Sequence, residues 1–223
     1  MCGRYTLTTP PAKLAESFGL DERPQLDPRF NIAPTQPVAT VLVVTGGRRL
    51  RLMRWGLVPH WARDLSIGSR MINARGETVA EKPAFRRAFR ERRCLVLADG
   101  FYEWRREGKS KQPFYIARKD RQPFAFAGLW ETWMPPDAGE SVDSCTIITT
   151  DANELVGEFH HRMPVILDAG DFDIWLDADA DEQDLLVLLR PCPAGRMQAW
   201  PVRDTVNSPA HETPECIEPA AKK

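Results

Sequence analysis

Histidine is scarce in this chain, four residues in 223, and the five cysteines (Cys2, Cys94, Cys145, Cys192 and Cys216) are odd in number with no CxxC pair among them. Without that spacing neither a zinc site nor a redox dithiol is indicated, and an odd set of thiols fits a reducing compartment. Basic charge is not in excess either: 30 Lys and Arg oppose 31 Asp and Glu, for a net charge of −1. A uniformly basic nucleic-acid coat is therefore excluded, and an anionic partner must be held by a local arginine cluster. No apolar run reaches 18 residues, and the opening MCGRYTLTT has no apolar signal core, so the expected location is cytosolic or nucleoid-associated. Repeats, low-complexity tracts and dividing linkers are also missing. A chain of 223 residues that is 43% hydrophobic is long enough for one packed core, and a single domain is expected.

What is present is a succession of short strand signals. Val38–Val44 and Leu50–Trp55, around Thr45-Gly46-Gly47, predict a β-hairpin. Further strands are expected at Cys94–Ala98, Phe101–Trp104, Phe114–Ala117, Phe124–Trp130, Cys145–Thr149 and Val165–Leu167. Helices are expected at Pro10–Leu20, at Pro83–Arg93 with a basic amphipathic face, from Asp151 to about Phe159 behind an Asp151/Glu154 capping box, and at Asp171–Leu176 and Asp181–Leu189. Many short strands with interspersed helices, lacking βαβ alternation, predict a compact and largely antiparallel α+β domain. The segment after Arg203 is polar and proline-bearing and is expected to be irregular.

Five clusters carry possible chemistry. Removal of Met1, usual before a small residue, would make Cys2 N-terminal. An α-amine (reference pKa about 7.7–8.0) would then stand beside a thiol (about 8.5), both partly nucleophilic near neutrality. A 1,2-aminothiol can capture an aldehyde as a Schiff base and close it to a thiazolidine, which no internal cysteine can do. In the second cluster, Asn73 with Arg75 and Glu77 offers an amide to orient a substrate oxygen or the amine, and a guanidinium fork for phosphate. The third contains Glu103, set among aromatics in Asp99-Gly100-Phe101-Tyr102-Glu103-Trp104, where partial burial suits a carboxyl to proton transfer. In the fourth, His160-His161-Arg162-Met163-Pro164 supplies a general acid–base; adjacent histidines are expected to point apart, which argues against a two-histidine metal site. The last comprises Trp61, a base-stacking candidate, with Arg4, Arg86 and Arg87 nearby in character. Each cluster taken alone has an ordinary structural reading: a frayed terminus, a polar turn, an outward strand position, a helix end, a solvated arginine face.

Together and in order, these blocks resemble the SRAP family (SOS response-associated peptidase). The resemblance is carried by Cys2-Gly3-Arg4-Tyr5, Asn31-Ile32-Ala33-Pro34, Trp55-Gly56-Leu57 with Pro59 and Trp61, Ile72-Asn73-Ala74-Arg75 with Glu77, the Asp99–Trp104 block, His160–Pro164, and Asn207-Ser208-Pro209. It implies one domain over residues 1–210 around a β-barrel-like core, with 211–223 as a tail, in a monomer without metal or organic cofactor. It also implies abasic sites in single-stranded DNA as the substrate, crosslinked through Cys2, with Asn73, Glu103 and His160 completing the catalytic set. Arg4, Pro34, Trp61, Arg75, Thr149 and Arg162 would contact the strand. Ala62 departs from relatives that place a second tryptophan after the first. Two other readings use the same residues: an N-terminal-nucleophile hydrolase or peptidase, with strand-nicking lyase chemistry as a related possibility, and a non-catalytic single-stranded DNA-binding module.

Overall fold

The computed structural model describes every residue except Met1, Gly46, Lys109, Asp137, Ala138 and 221–223. One sheet is β1 (Tyr5–Leu7), β2 (Arg29–Ile32), β7 (Gly100–Glu107), β8 (Ser110–Arg118) and β13 (Met197–Pro201), ordered β13-β8-β7-β1-β2. The second contains β3 (Pro37–Val44), β4 (Gly47–Trp55), β5 (Asn73–Arg75), β6 (Arg93–Ala98), β9 (Phe124–Trp133), β10 (Val142–Asp151), β11 (Arg162–Pro164) and β12 (Ile166–Leu167). Its strands run β10-β4-β3-β6-β9, and β9 then pairs back onto β10, closing a ring. Closure removes the exposed edges that an open sheet would leave unpaired. The α+β architecture expected from the strand pattern therefore forms, around the barrel-like core that the resemblance implies. Most pairings are antiparallel; β10 adds parallel contacts to β4 and β5.

Apolar residues on these strands fill the ring: Trp55, Val41, Leu95, Leu97, Phe126 and Ile147 are all fully buried. Two glycines permit close approaches. Gly56 has φ +125°, and a Cβ there would lie 2.5 Å from the Gly68 carbonyl oxygen. At Gly100 a Cβ would fall 2.0 Å from the Tyr115 hydroxyl, so the phenol occupies the space that any side chain would need.

Several helices are shorter than expected. The basic segment is helical only over Arg86–Glu91, because Arg93 leaves it for β6 and is buried. Its guanidinium donates to the carbonyls of Trp175 (2.8 Å), Phe89 (2.6 Å), Arg90 (2.5 Å) and Asp177, a role that no charge pattern reveals. The helix after β10 spans Glu154–Gly157, and its cap is Asn153, which accepts from Val156 N–H at 2.9 Å. Asp151, the expected cap, is drawn instead to Arg162. The hairpin turn expected at Thr45-Gly46-Gly47 includes Gly46, outside the described residues.

The C-terminal segment packs. Pro214–Ile217 forms a single 3-10 turn, Cys216 is fully buried, and Trp200 donates its indole N–H to the Ile217 carbonyl at 2.9 Å. Cys216 and Ile217 are apolar, and burying them holds the segment down. Among the described residues no helix is long and apolar enough to cross a membrane.

Candidate active site

β1 carries the N-terminal segment into place. Tyr5 pairs with Phe101, and the Tyr102 N–H donates to the Arg4 carbonyl at 3.0 Å, so the residues before Tyr5 run antiparallel beside Glu103 on β7. Asp99 fastens the other end of this strand. Its carboxylate accepts from Thr6 Oγ1 (2.5 Å) and from the N–H and hydroxyl groups of Thr8 and Thr9 (2.5–3.0 Å). Sequence reasoning assigned Asp99 no part; the three threonines following Cys2 were the signal that a nearby acceptor is needed.

Cys2 is fully buried within the main apolar core. Burial, and then the charge of Glu103, push its thiol well above the usual cysteine range. This direction belongs to the chain with Met1 ahead of Cys2, whereas the partly ionised thiol expected from reference values belongs to the processed terminus. Asn73, the first residue of β5, donates from Nδ2 to the Cys2 carbonyl at 2.9 Å, while its buried Oδ1 has no hydrogen-bond partner among the described residues. β5 is held there by β10, with Ile147 opposite Asn73 and Thr149 opposite Arg75.

Glu103 is 4% exposed, and burial raises its carboxyl above the ordinary range. It shares a surface cleft of about 480 Å³ with His160, walled also by Trp104 and Phe159. His160 is half-buried; burial lowers its pKa, favouring the neutral ring. The Arg162 backbone N–H lies 2.9 Å from Nδ1 and the Arg162 carbonyl 3.2 Å from the same nitrogen, so the backbone of Arg162 holds the ring in place. The His160 and His161 rings do not diverge as expected. They stack at 4.4 Å and 24°, because the segment has already left the helix. No group of three or more His, Cys, Asp or Glu able to hold a metal occurs among the described residues.

The expected strand-contacting residues stand in varied settings. Arg75 is exposed, and its guanidinium has no ion pair or hydrogen bond among the described residues. Arg162 is buried and committed: bidentate to Glu77 (2.6 and 2.8 Å), to Asp151 (2.8 Å) and to the Thr149 carbonyl (2.7 Å). Arg4 donates to Asn31 Oδ1 (2.8 Å) and to the Val206 carbonyl (2.7 Å), bracing the C-terminal segment. Thr149 is buried, with its hydroxyl 3.3 Å from the Ala74 carbonyl. Pro34 sits in the turn before β3, ahead of Thr35 with φ 71°. Trp61 is 52% exposed, whereas Ala62 beneath it is buried with Val58 and Trp133, whose indole N–H donates to the Ala62 carbonyl.

The arrangement thus gathers Cys2, Asn73, Glu103 and His160 from four distant parts of the chain. Comparisons with known proteins point the same way. The family described as SOS response associated peptidase (SRAP) matches residues 1–209. The chain is 44% identical over 223 residues to the abasic site processing protein YoqW of Bacillus subtilis, covering 98% of this chain and 99% of that one. It is 37% identical over 196 residues to the abasic site processing protein HMCES of Gallus gallus, covering 77% of this chain and 58% of that one. A crystal structure of a Bacteroides thetaiotaomicron protein superposes with a TM-score of 0.89 at 29% identity, over 99% of this chain and all of the other. A second, from Bordetella bronchiseptica, gives 0.78 at 27% identity over 91% of this chain and all of the other. With the motif blocks, the fold and the relatives in agreement over nearly its whole length, the chain belongs to the SRAP family.

Proposed function

We propose that this protein recognises abasic sites in single-stranded DNA and shields them by forming a thiazolidine crosslink through Cys2 once Met1 has been removed. The observation that carries this reading is the Asn73 amide bonded to the Cys2 carbonyl, with Glu103 near enough for its charge to act on Cys2 and sharing a cleft with His160. The relatives named abasic site processing proteins support the choice of substrate.

The open-chain abasic sugar presents an aldehyde. The Cys2 α-amine adds to C1′, giving a carbinolamine, and a proton from Glu103 or His160 lets water leave to form the imine. The thiol then adds across C=N: the S–C bond forms at C1′ and the thiol proton passes to nitrogen. The burial of the Cys2 side chain supports this order, with the amine first and the sulfur closing the ring. Asn73, bonded to the Cys2 carbonyl, holds the residue in register, and orientation of the partners supplies much of the acceleration. Arg75 is the exposed cation best placed for a flanking phosphate, and Trp61 a surface ring on which a base can stack.

The test is denaturing electrophoresis after mixing the protein, with Met1 removal confirmed by mass spectrometry, with an oligonucleotide bearing one abasic site. A heat-stable shifted band that Cys2→Ala abolishes is expected. No band from fully processed protein overturns the proposal, and turnover of peptides without a band favours the hydrolase. Strand nicking in place of a stable band favours a lyase.

A further inference from the structure

Trp61 is half exposed, yet the backbone on either side of it is fixed. Leu57 N–H donates to the Met71 carbonyl (3.1 Å) and Val58 N–H to Ser144 Oγ (2.8 Å). Ala62 N–H closes a turn onto the Pro59 carbonyl (2.9 Å), and the Ala62 carbonyl accepts from the Trp133 indole at 2.8 Å. The anchors belong to the closed ring of strands, Trp133 on β9 and Ser144 on β10, and both are buried. Ser144 is paired directly against Glu131, and its hydroxyl donates to the Glu131 carbonyl at 3.3 Å. His60 adds a lateral contact. Its Nδ1 stands 3.6 Å from Glu131 Oε2, an ion pair whenever the imidazole is protonated, while Oε1 is held by Arg92 and by the Thr132 N–H.

This is an unusual setting for a large ring. Aromatic side chains contribute most to a fold when buried, but here the chain buries the small residue of the pair and leaves the large one in solvent. Ala62 packs into the cluster with Val58 and Trp133, and seating it there turns the neighbouring Trp61 outward. Ordering a loop when a ligand binds costs free energy that is subtracted from affinity. Around Trp61 that ordering is already done by folding, because its neighbours are bonded to buried groups of the strand ring. The result is a rigid surface ring with an open face.

We infer that Trp133 and Ser144 are positioning residues for the substrate: they hold the loop over residues 57–62 so that Trp61 presents a preformed stacking face to a nucleobase of the bound strand. The inference rests on the abasic-site reading for its substrate. Its consequence is a division of labour, in which these anchors set how tightly the strand is held and leave the rate at which bound Cys2 reacts unchanged.

The experiment measures crosslinking rate against the concentration of an abasic oligonucleotide for wild type, Trp61→Ala, Trp133→Phe and His60→Gly. Phenylalanine keeps the aromatic bulk but removes the N–H anchor; glycine frees the backbone beside Trp61 at an exposed position. The half-saturating concentration should rise about tenfold for Trp61→Ala and about threefold or more for the other two, with maximal rates within a factor of about two. On an oligonucleotide whose nucleotides flanking the abasic site are base-less tetrahydrofuran residues, all four proteins should converge. Trp133→Phe should add nothing in the Trp61→Ala background. Circular dichroism melts check folding, and His60→Gly carries the test should Trp133→Phe fail to fold. A fall in maximal rate alone, or an effect that persists without flanking bases or without Trp61, refutes the positioning role. If wild type crosslinks and the variants match it at every concentration, the positioning role falls and the abasic reading stands. If wild type forms no crosslink, the abasic reading falls, and fluorescence anisotropy with an intact single-stranded oligonucleotide decides the loop by itself. Weaker binding by Trp133→Phe, non-additive with Trp61→Ala, then supports the positioning role, and equal binding refutes it.

Discussion

Asn31 offers the sharpest test of how the C-terminal segment is tied to the site. It is fully buried on β2, and its Nδ2 donates to the carbonyls of His211 (2.8 Å), Ser208 (3.0 Å) and Val206 (3.2 Å), while Oδ1 accepts from Arg4 (2.8 Å). Asn31→Ala removes all four. At about 0.5–1.5 kcal/mol net per bond, and with some of the freed carbonyls close enough to the surface to recover water, the loss comes to about 2–4 kcal/mol. For a domain of this size that corresponds to a fall in Tm of roughly 4–16 °C. Scanning calorimetry measures it, and hydrogen exchange should show the amides of Ser208 and His211, which bond to Thr205 and Ser208 carbonyls, losing protection first. The discriminating variant is Asn31→Asp. A carboxylate keeps and strengthens the Arg4 contact, yet it donates nothing and sets a negative charge against three carbonyl oxygens. Asp should therefore destabilise at least as much as Ala. An Asp variant melting within about 1 °C of wild type would refute the reasoning and assign the stabilisation to Arg4 alone.

Gly56→Ala should destabilise by about 3 kcal/mol or more, since it combines a positive φ with a Cβ driven against the Gly68 backbone; a urea midpoint near that of wild type contradicts this. Because burial raises the folded pKa of Glu103, the folded state binds the extra proton and loses stability as pH rises from the ordinary carboxylate value, about 4.3, through the folded one. Glu103→Gln should accordingly gain stability relative to wild type at pH 8 but not at pH 4; an equal gap at both pH values is the contrary result. His160, whose pKa is lowered by burial, should titrate below the usual value of about 6.5 in an NMR titration of the ring, and a midpoint at or above that value is the contrary result.

Much of this molecule was legible along the chain because the relevant physics is local. Strand signals at 94–98, 124–130 and 145–149 came from runs of apolar and β-branched residues, and each forms a strand, extended by a few residues where partners across the sheet continue the ladder. Cys2, Asn73, Glu103 and His160 could be named as candidates because their motifs occur together and in family order, although each alone has an ordinary structural reading. Pairing that closes the ring, β9 back onto β10, has no local signature, since it depends on strand twist and on neighbours far apart in the chain. The same limit governs charge. Arg93, Arg105 and Arg162 are alike in composition, yet one caps carbonyls in the interior, one lies over an aromatic ring at the cleft, and one is bound by two carboxylates. Sequence determined which residues can do chemistry and that a barrel-like α+β domain would carry them. Only the tertiary structure decided that Cys2 lies buried in the core, that Asp151 serves Arg162 instead of capping a helix, and that Asn73 reaches Cys2. Burial, desolvation and contacts between distant residues are properties of the packed chain, and they exist only once it has folded.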